Sequence, residues 1–519
     1  MQRRTFFGVG AAALAAVVTG CDNTSGGAGS SGDRGGGASG RPTRSSSPAP
    51  AAPADLKALA ADLDGPLVRP GDSDWSVASQ LYNTRFDNLK PSAVAYVAHA
   101  DDVRTALSYA RARKVRVAIR NGGHSYAGWS SGDGRLILDV SKMATVRASG
   151  SEAVIGAGAK LIDVYRGLSA KGVTIPGGSC PTVGVSGLTL GGGHGVVSRV
   201  YGLTCDNLTR ATLVTADGKQ LTVHAKEHDD LFWALRGAGN GNFGVVTELH
   251  FRTRPAPQGV AAYLTWPWSL AAQVLSAWQE WGFDQPDEIW SAAHVDSAAG
   301  GTPKVSVSAF SLGSYGELQN AVDRLADRIG SSASSVSLRR RSYQASMEMY
   351  ANCSTYADAQ CHLPGPTPGR APEGALGRET YAARSDFFDR SLSDAGIRTL
   401  LSHMSAVTAG SASVALTALG GAVNRVAPDA TAFVHRRSRM LAQYYVSWPA
   451  GGSGRASQDW LAGTHAAMRP YASGAAYQNY TDPTLKNWRL AYYGSAAPRL
   501  TAVKNRYDPE NFFTSPQGL

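Results

Sequence analysis

Two glycine-rich stretches each carry one side chain able to form a covalent bond. "RNGGHSYAGWS" (Arg120 to Ser130) puts His124 directly after two glycines, and "GGSCPTVGVSGLTLGGGHG" (Gly177 to Gly195) sets Cys180 among glycines and small or β-branched residues. In the first, Gly122 and Gly123 let the backbone approach a ligand closely, and consecutive N–H groups in such a turn form an anion-binding nest suited to a pyrophosphate. In the second, no further cysteine lies near enough to suggest a metal site. A neutral imidazole and a thiolate are the side chains most able to add to an electron-poor ring. Taken alone, a histidine in a glycine turn is ordinarily a surface or capping residue.

Other glycine and histidine patterns lead nowhere. "GVGAAA" (Gly8 to Ala13) matches a dinucleotide fingerprint but lies in an N-terminal export segment. "GAGNGNFG" (Gly237 to Gly244) follows a helical stretch and precedes a strand, the reverse of a Rossmann turn or P-loop. "HAKEH" spaces His224 and His228 four apart but lacks the glutamate of a zinc helix and reads as a solvated helix start. There is no G-x-S-x-G elbow to anchor hydrolase chemistry.

The elements that must position His124 and Cys180 alternate along the chain. Helical spacing in "DDVRTALSYARAR", strands at "VRVAI", "RLILDV" and "AVIGAGA", and a helix "LIDVYRGLSAKG" ending on Gly172 describe an α/β or α+β region. It continues through the strand "RATLVTADG", the helix "DDLFWALRG" and the strand "VVTELHF". After Pro255 to Pro257 the pattern changes to separated strands, "VSVSAF", "SVALTAL" and "AQYYVSW", with helices such as "GELQNAVDRLADRI" between them, as in a second domain on a mostly antiparallel sheet. From about Gln458 a helix, a Tyr/Asn-rich segment and "KNRYDPENFF" complete the chain.

With 519 residues and a hydrophobic share of 43%, the chain can bury more than one core. The net charge of +10 comes from scattered Lys and Arg, without a basic run carrying interleaved aromatics, which argues against a nucleic-acid partner. The first residues, "MQRRTFFGVGAAALAAVVTGC", join a twin arginine to a short Ala/Val core and small residues, an export signal rather than part of the fold. "VTGC" resembles a bacterial lipobox that would lipidate Cys21, the alternative being plain cleavage with Cys21 incidental. Residues 22–54, nearly free of large apolar side chains, are expected to be a disordered tether. Cys353 and Cys361 could pair outside the cytoplasm, though spacing does not establish it, and Cys205 reads as a buried small apolar residue.

Read together, the R-x-G-G-H turn, the "CPTVGVSG" loop and the C-terminal "YDPENFF" resemble the berberine-bridge-enzyme-like family of FAD-linked oxidases, within the vanillyl-alcohol-oxidase superfamily. The resemblance runs from about Asp72 to the end. It implies an α+β fold, with a two-part FAD-binding domain (residues 55–257 and 458–519) and an inserted substrate domain (residues 258–457) built on an antiparallel sheet covered by helices. It further implies bicovalent FAD, bonded by His124 at the 8α-methyl and by Cys180 at C6. Contacts to that cofactor fall on Arg120, Asn121, Gly122, Gly123, Ser125, Val183, Gly184, Gly187, Val245, Tyr477 and Asn479, with no metal.

On the substrate side the resemblance points to Tyr480, in "YQNYTD", as the base that removes a proton as hydride leaves, or as a packing residue beside the ring. A phenol, near pKa ~10, would need neighbouring positive charge or donors to serve. In "MLAQYYVSW" the residue matching a catalytic glutamate of the family is Gln443, which cannot take a proton, so alcohol oxidation fits better than ring closure. Tyr444 beside it is a candidate second tyrosine, though register decides whether Tyr444 or Tyr445 faces the flavin. Tyr126 and His194 match positions lining the substrate side, His194 being equally readable as structural. Val183 matches the position that admits O2. The expectation is an exported oxidase of an alcohol, a sugar or a glycosylated or aromatic natural product, with O2 reduced to H2O2. The alternatives are a dehydrogenase or ring-forming tailoring oxidase using another acceptor, or an inactive tethered binding protein.

Overall fold

The computed structural model describes residues 53–519. The twin-arginine segment, Cys21 and nearly all of the expected tether lie outside the described residues; its last two positions begin the helix Pro53–Ala61. Among the described residues no helix is long and apolar enough to cross a membrane.

Two small sheets share one core. The first runs in the order Leu67–Val68, Ala93–Tyr96, Leu136–Asp139, Val117–Arg120, and its last three strands are parallel. The helix Ala100–Ala112 makes the crossover that parallel pairing requires, burying Val103, Ala106, Leu107 and Ala110 at helical spacing. The second, antiparallel throughout, runs Val146–Ser149, Glu152–Gly156, Val245–Arg252, Leu208–Val214, Gln220–His224. Leu138, Ile155, Leu213 and Phe251 meet in the core between them.

The third sheet has seven antiparallel strands in the order Ser335–Arg341, Gly259–Trp266, Lys304–Ser311, Ile289–Ala298, Ser411–Ala418, Met440–Ser447, Tyr381–Phe388. Helices Ala271–Asp284, Tyr315–Ile329, Asp394–Ser405 and Arg455–Met468 cover one face. Tyr315–Ile329 shows how sequence places such a helix. Ser314 and Glu317 form a reciprocal capping box, Gly330 ends it with φ of 77°, and Leu318, Ala321, Val322, Leu325 and Ile329 form the buried stripe. Each large apolar side chain so buried contributes roughly 1.5–3 kcal/mol. The opposite face of the sheet looks towards the glycine loops.

The C-terminal residues return to the first core. The Lys504 ammonium donates to Asp508 Oδ2 (2.7 Å) and to the carbonyls of Asn242 (2.8 Å) and Phe513 (2.7 Å), and Asp508 accepts the N–H groups of Phe512 and Phe513. "YDPENFF" is therefore a knot of hydrogen bonds that pins the chain end. Cys353 and Cys361 are joined by a disulfide, and Cys205 is fully buried, its thiol pushed up by that burial.

Candidate active site

The turn that follows Val117–Arg120 lies against the loop that follows Cys180. A side chain at Gly122 would strike the Thr182 carbonyl and the Gly184 amide, and one at Gly184 would strike Asn121. Only bare backbone fits this crossing, and Gly123 turns it with φ of 69°. Asn121 fastens it, donating to the Ala159 carbonyl (3.3 Å) and accepting from the Lys160 ammonium (2.6 Å). The Cys180 loop is laced to the neighbouring helix start by Leu161 N–H to Val183 O (3.0 Å) and Ile162 N–H to Pro181 O (3.2 Å).

Between these loops and the seven-stranded sheet lies a cavity of about 340 Å3, within the range of cofactor sites. Asn121, Gly122, Gly123, His124, Ser125, Tyr126, Cys180, Val183, Gly184, Gly187, His194, Tyr477, Asn479 and Tyr480 all line it. The lining suits a flat cofactor at Gly187, where a Cβ would meet nothing within 4 Å, so bare backbone faces open space. His124 stacks on Tyr82 (4.0 Å between ring centres), and its Nε2 lies 2.8 Å from the Thr182 hydroxyl. Burial, with help from the Lys160 ammonium, holds its pKa down to about 3, so the imidazole is neutral and keeps a lone pair.

Tyr480 and His194, 286 residues apart, meet at 2.8 Å between Oη and Nε2. Tyr126 stacks on Tyr480 with centres 5.3 Å apart and planes 7° apart, and Gln443 Nε2 donates to Tyr126 Oη at 2.6 Å. Burial lowers His194 to about 4 and pushes the Tyr480 phenol well up. An imidazole nitrogen thus stands within hydrogen-bond distance of Tyr480, and among the described residues no cation acts on it, contrary to one of the two means expected to lower it. Tyr477 and Asn479 are fasteners. Tyr477 Oη accepts from the Gly193 amide (2.8 Å) and from Asn479 Nδ2 (2.9 Å), and Asn479 also binds the Leu188 carbonyl.

Four expected residues are placed differently. Tyr444 faces away from the cavity, into the core under the helices, because successive residues of Met440–Ser447 alternate faces and Gln443 holds the cavity side. Tyr445 shares that side with Gln443, stacked on Tyr381 and bonded to Glu379. Gln443 itself acts through Tyr126 and does not line the cavity. Arg120 is turned behind the loop, paired with Asp139 and bonded to the Gln80 carbonyl, where it serves the scaffold. Val245 is wholly buried at the start of its strand. Tyr82, Thr182 and Lys160 were not foreseen. Thr182, two residues after Cys180 in the same loop, was the one within reach of sequence reasoning.

Comparison with known proteins agrees with this architecture. A family model described as "FAD binding domain" matches residues 91–224, and one described as "Berberine and berberine like" matches residues 476–519. The FAD-linked oxidoreductase YgaK of Bacillus subtilis is 32% identical over 463 residues, covering 88% of this chain and 97% of the relative. The chitooligosaccharide oxidase of Gibberella zeae is 31% identical over 481 residues, covering 88% and 92% respectively. Among solved structures, Physcomitrella patens BBE-like 1 superposes with a TM-score of 0.80 at 31% identity, covering 89% of this chain and 98% of its own.

Proposed function

Since the chain belongs to the berberine-bridge-enzyme-like family of FAD-linked oxidoreductases, we propose that it is an exported oxidase of alcohols, namely sugars or glycosylated or aromatic natural products, with O2 as acceptor. The observation that carries this reading is the convergence of His124, Cys180, Tyr480 and His194 on one cavity. FAD, when bound, supplies the hydride acceptor, and its electrons leave to O2 with two protons as H2O2. His124 and Cys180 are the residues that would hold it covalently.

The alcohol proton falls to Tyr480. His194 Nδ1 is buried with no hydrogen-bond partner, and a stranded N–H is the costlier orphan, so the ring proton belongs on Nε2 and is donated to Tyr480 Oη. That bond favours the phenolate and works against burial. Tyr126, held by Gln443 and stacked on Tyr480, keeps the phenol in one plane. Gln443 spends its amide on Tyr126 and offers no base for ring closure. Val183 lines the cavity with a small side chain that leaves room for O2.

The N-terminal twin arginine supports export of a folded protein, and "VTGC" supports a lipid on Cys21 that would tie it to a membrane, plain cleavage being the alternative. The partners are then a small-molecule substrate and O2, without nucleic acid.

The test is an oxygen-electrode and peroxide assay of the flavin-loaded protein with sugars, phenolic alcohols and glycosylated polyketides. Matched O2 uptake and H2O2 release are expected. Turnover only with an added artificial acceptor would make it a dehydrogenase, and a flavin-free, inert protein would make it a binding protein.

A further inference from the structure

The two loops that present His124 and Cys180 also decide which nitrogen of His124 can react. The imidazole lies nearly flat on Tyr82, with planes 18° apart, which sets the plane of the ring. Rotation within that plane is stopped by Thr182, whose hydroxyl is 2.8 Å from Nε2. Nδ1 has no hydrogen-bond partner among the described residues and, unlike Nδ1 of His194 and of His294, is not closed off by burial. His124 lines the cavity. One nitrogen is therefore held by the Cys180 loop, and the other opens on the space meant for a flat ring.

Thr182 is built to hold that nitrogen. It is 4% exposed, and its carbonyl lies where Gly122 has no room for a Cβ, so the two loops meet here backbone to backbone. A residue branched at Cβ is stiff at χ1, which gives a hydroxyl on so fixed a backbone one direction. Behind the turn Thr182, Ser141 and Lys160 line a separate cavity of about 30 Å3, room enough for a water. The Lys160 ammonium is spent on Asn121 Oδ1 (2.6 Å), Ser141 Oγ (2.9 Å) and the Gly158 carbonyl (3.1 Å), and its charge opposes a second proton on His124. A neutral imidazole has a single N–H, and the hydrogen bond made by one nitrogen sets the state of the other.

Attachment of FAD at His124 has to dispose of that N–H. A bond forms from Nδ1 to the 8α carbon, and two protons are lost, one from the 8α-methyl group and one from the imidazole. The electron pair reduces the flavin and passes to O2, which leaves with both protons as H2O2.

We infer that Thr182 is a positioning residue for the covalent attachment of FAD at His124. Its hydroxyl accepts from Nε2–H, which leaves the Nδ1 lone pair facing the cavity. As the bond forms, the hydroxyl takes the Nε2 proton, releases its own into the small cavity behind, and ends as the donor to the bare Nε2. A hydroxyl can serve first as acceptor and then as donor, which neither a methyl group nor an ammonium can do. This rests on the covalent-flavin reading above and adds to it the residue that prepares the histidine.

The test follows attachment in the full-length protein and its Thr182→Val and Thr182→Ser variants, purified at intervals during expression. Peptide masses after acid precipitation give the fractions of His124 and of Cys180 that carry flavin. Valine keeps the shape of threonine but strands Nε2–H, which drives the proton to Nδ1. In Thr182→Val, flavin on His124 is expected to accumulate roughly tenfold more slowly or worse, while flavin on Cys180 accumulates as in the wild type. Thr182→Ser should restore most of the rate at His124, and Thr182→Ala serves if the valine variant folds poorly. Attachment at His124 as fast without the hydroxyl as with it, a serine variant as slow as valine, or equal slowing at His124 and Cys180 would overturn the inference. A wild-type protein with no flavin on His124 removes the covalent reading and the role of Thr182 together, whereas failure of the Thr182 variants alone leaves that reading in place.

Discussion

The seven-stranded sheet carries a buried tyrosine–histidine cluster on each face, and the two differ in what holds them. On the cavity face, Tyr480 meets His194, and Tyr126 meets Gln443, without an ionised partner in either contact. On the helix face, Tyr444 and His465 pack edge to face at 5.6 Å around Asp386, which accepts from Arg469 at 2.6 Å and lies 3.3 Å from His465 Nε2. Asp386 and Tyr444 are fully buried. By residue type the second cluster is the better catalytic set, having a carboxylate, an imidazole and a phenol. One oxygen of its carboxylate is paired with Arg469 and none of its residues lines the cavity, so it acts as a strut. Both clusters leave buried polar atoms without a partner, but only the first has the cavity beside them. Unspent hydrogen-bonding capacity next to open space marks the chemistry here better than the inventory of side chains.

The largest separation of the two faces should come from their tyrosines. Tyr480→Phe is expected to lower the rate of substrate oxidation by about 10^3 without changing the thermal midpoint, whereas Tyr444→Phe should leave that rate within about twofold. Stopped-flow reduction of the flavin, with a melting curve for each variant, would show it. A comparable loss in Tyr444→Phe would merge the two clusters.

Asp386→Ala should do the reverse. Removing the carboxylate strands Arg469 and His465 and is expected to cost about 3–5 kcal/mol in a denaturant titration, while the molecules that remain folded oxidise substrate normally. An unchanged midpoint would remove the strut from the account.

A smaller effect distinguishes the histidines. The phenol of Tyr480 is raised by burial, so its ionised fraction, and with it the rate, should climb as pH rises from neutral. His194→Phe removes the donor that favours the phenolate and should shift that climb to higher pH, with a rate roughly tenfold to a hundredfold lower at pH 7. His465→Gln should leave the pH profile in place. Equal shifts in both variants would mean that His194 is merely structural.

The smallest effect is on acid stability. His294 and His435 are buried neutral, with pKa values held down by desolvation to about 4 and about 3. The unfolded chain protonates them first, so their contribution is complete above the ordinary histidine pKa and is lost as pH falls from about 6.5 towards 4, by roughly 1.4 kcal/mol per pH unit for each. Melting curves between pH 7 and pH 5 would measure it, and His435→Asn should flatten the slope.

The glycine crossing was legible in the sequence because its geometry is local: two glycines, a histidine and a cysteine within short loops. Five strands of the first two sheets were legible for the same reason, whereas Leu67–Val68, Ala93–Tyr96, Val146–Ser149 and Gln220–His224, whose end reads as a helix start, were not. The seven-stranded sheet was only partly so. Gly259–Trp266 and Tyr381–Phe388 are mostly buried on both faces and show no clean alternation, and Ile289–Ala298 is rich in Ala and Ser. His294 sits in that last strand, where one histidine in an Ala/Ser run gives no signal until register sets it beside Ser308. The choice between Tyr444 and Tyr445 stayed open for a related reason, since a one-residue choice of face is decided by packing against the helices. The pairing of His194 with Tyr480 joins loops far apart in the chain and had no local trace.

The account stands or falls on FAD being held in the cavity between the glycine loops. Acid precipitation of the purified protein, followed by peptide mass analysis of the pellet, tests this most directly. The account predicts that the flavin stays with the chain, with FAD mass on the peptides bearing both His124 and Cys180, that either single alanine variant keeps it through the other residue, and that the double variant releases it. Complete release of flavin from the wild-type protein, or retention in the double variant, would contradict it.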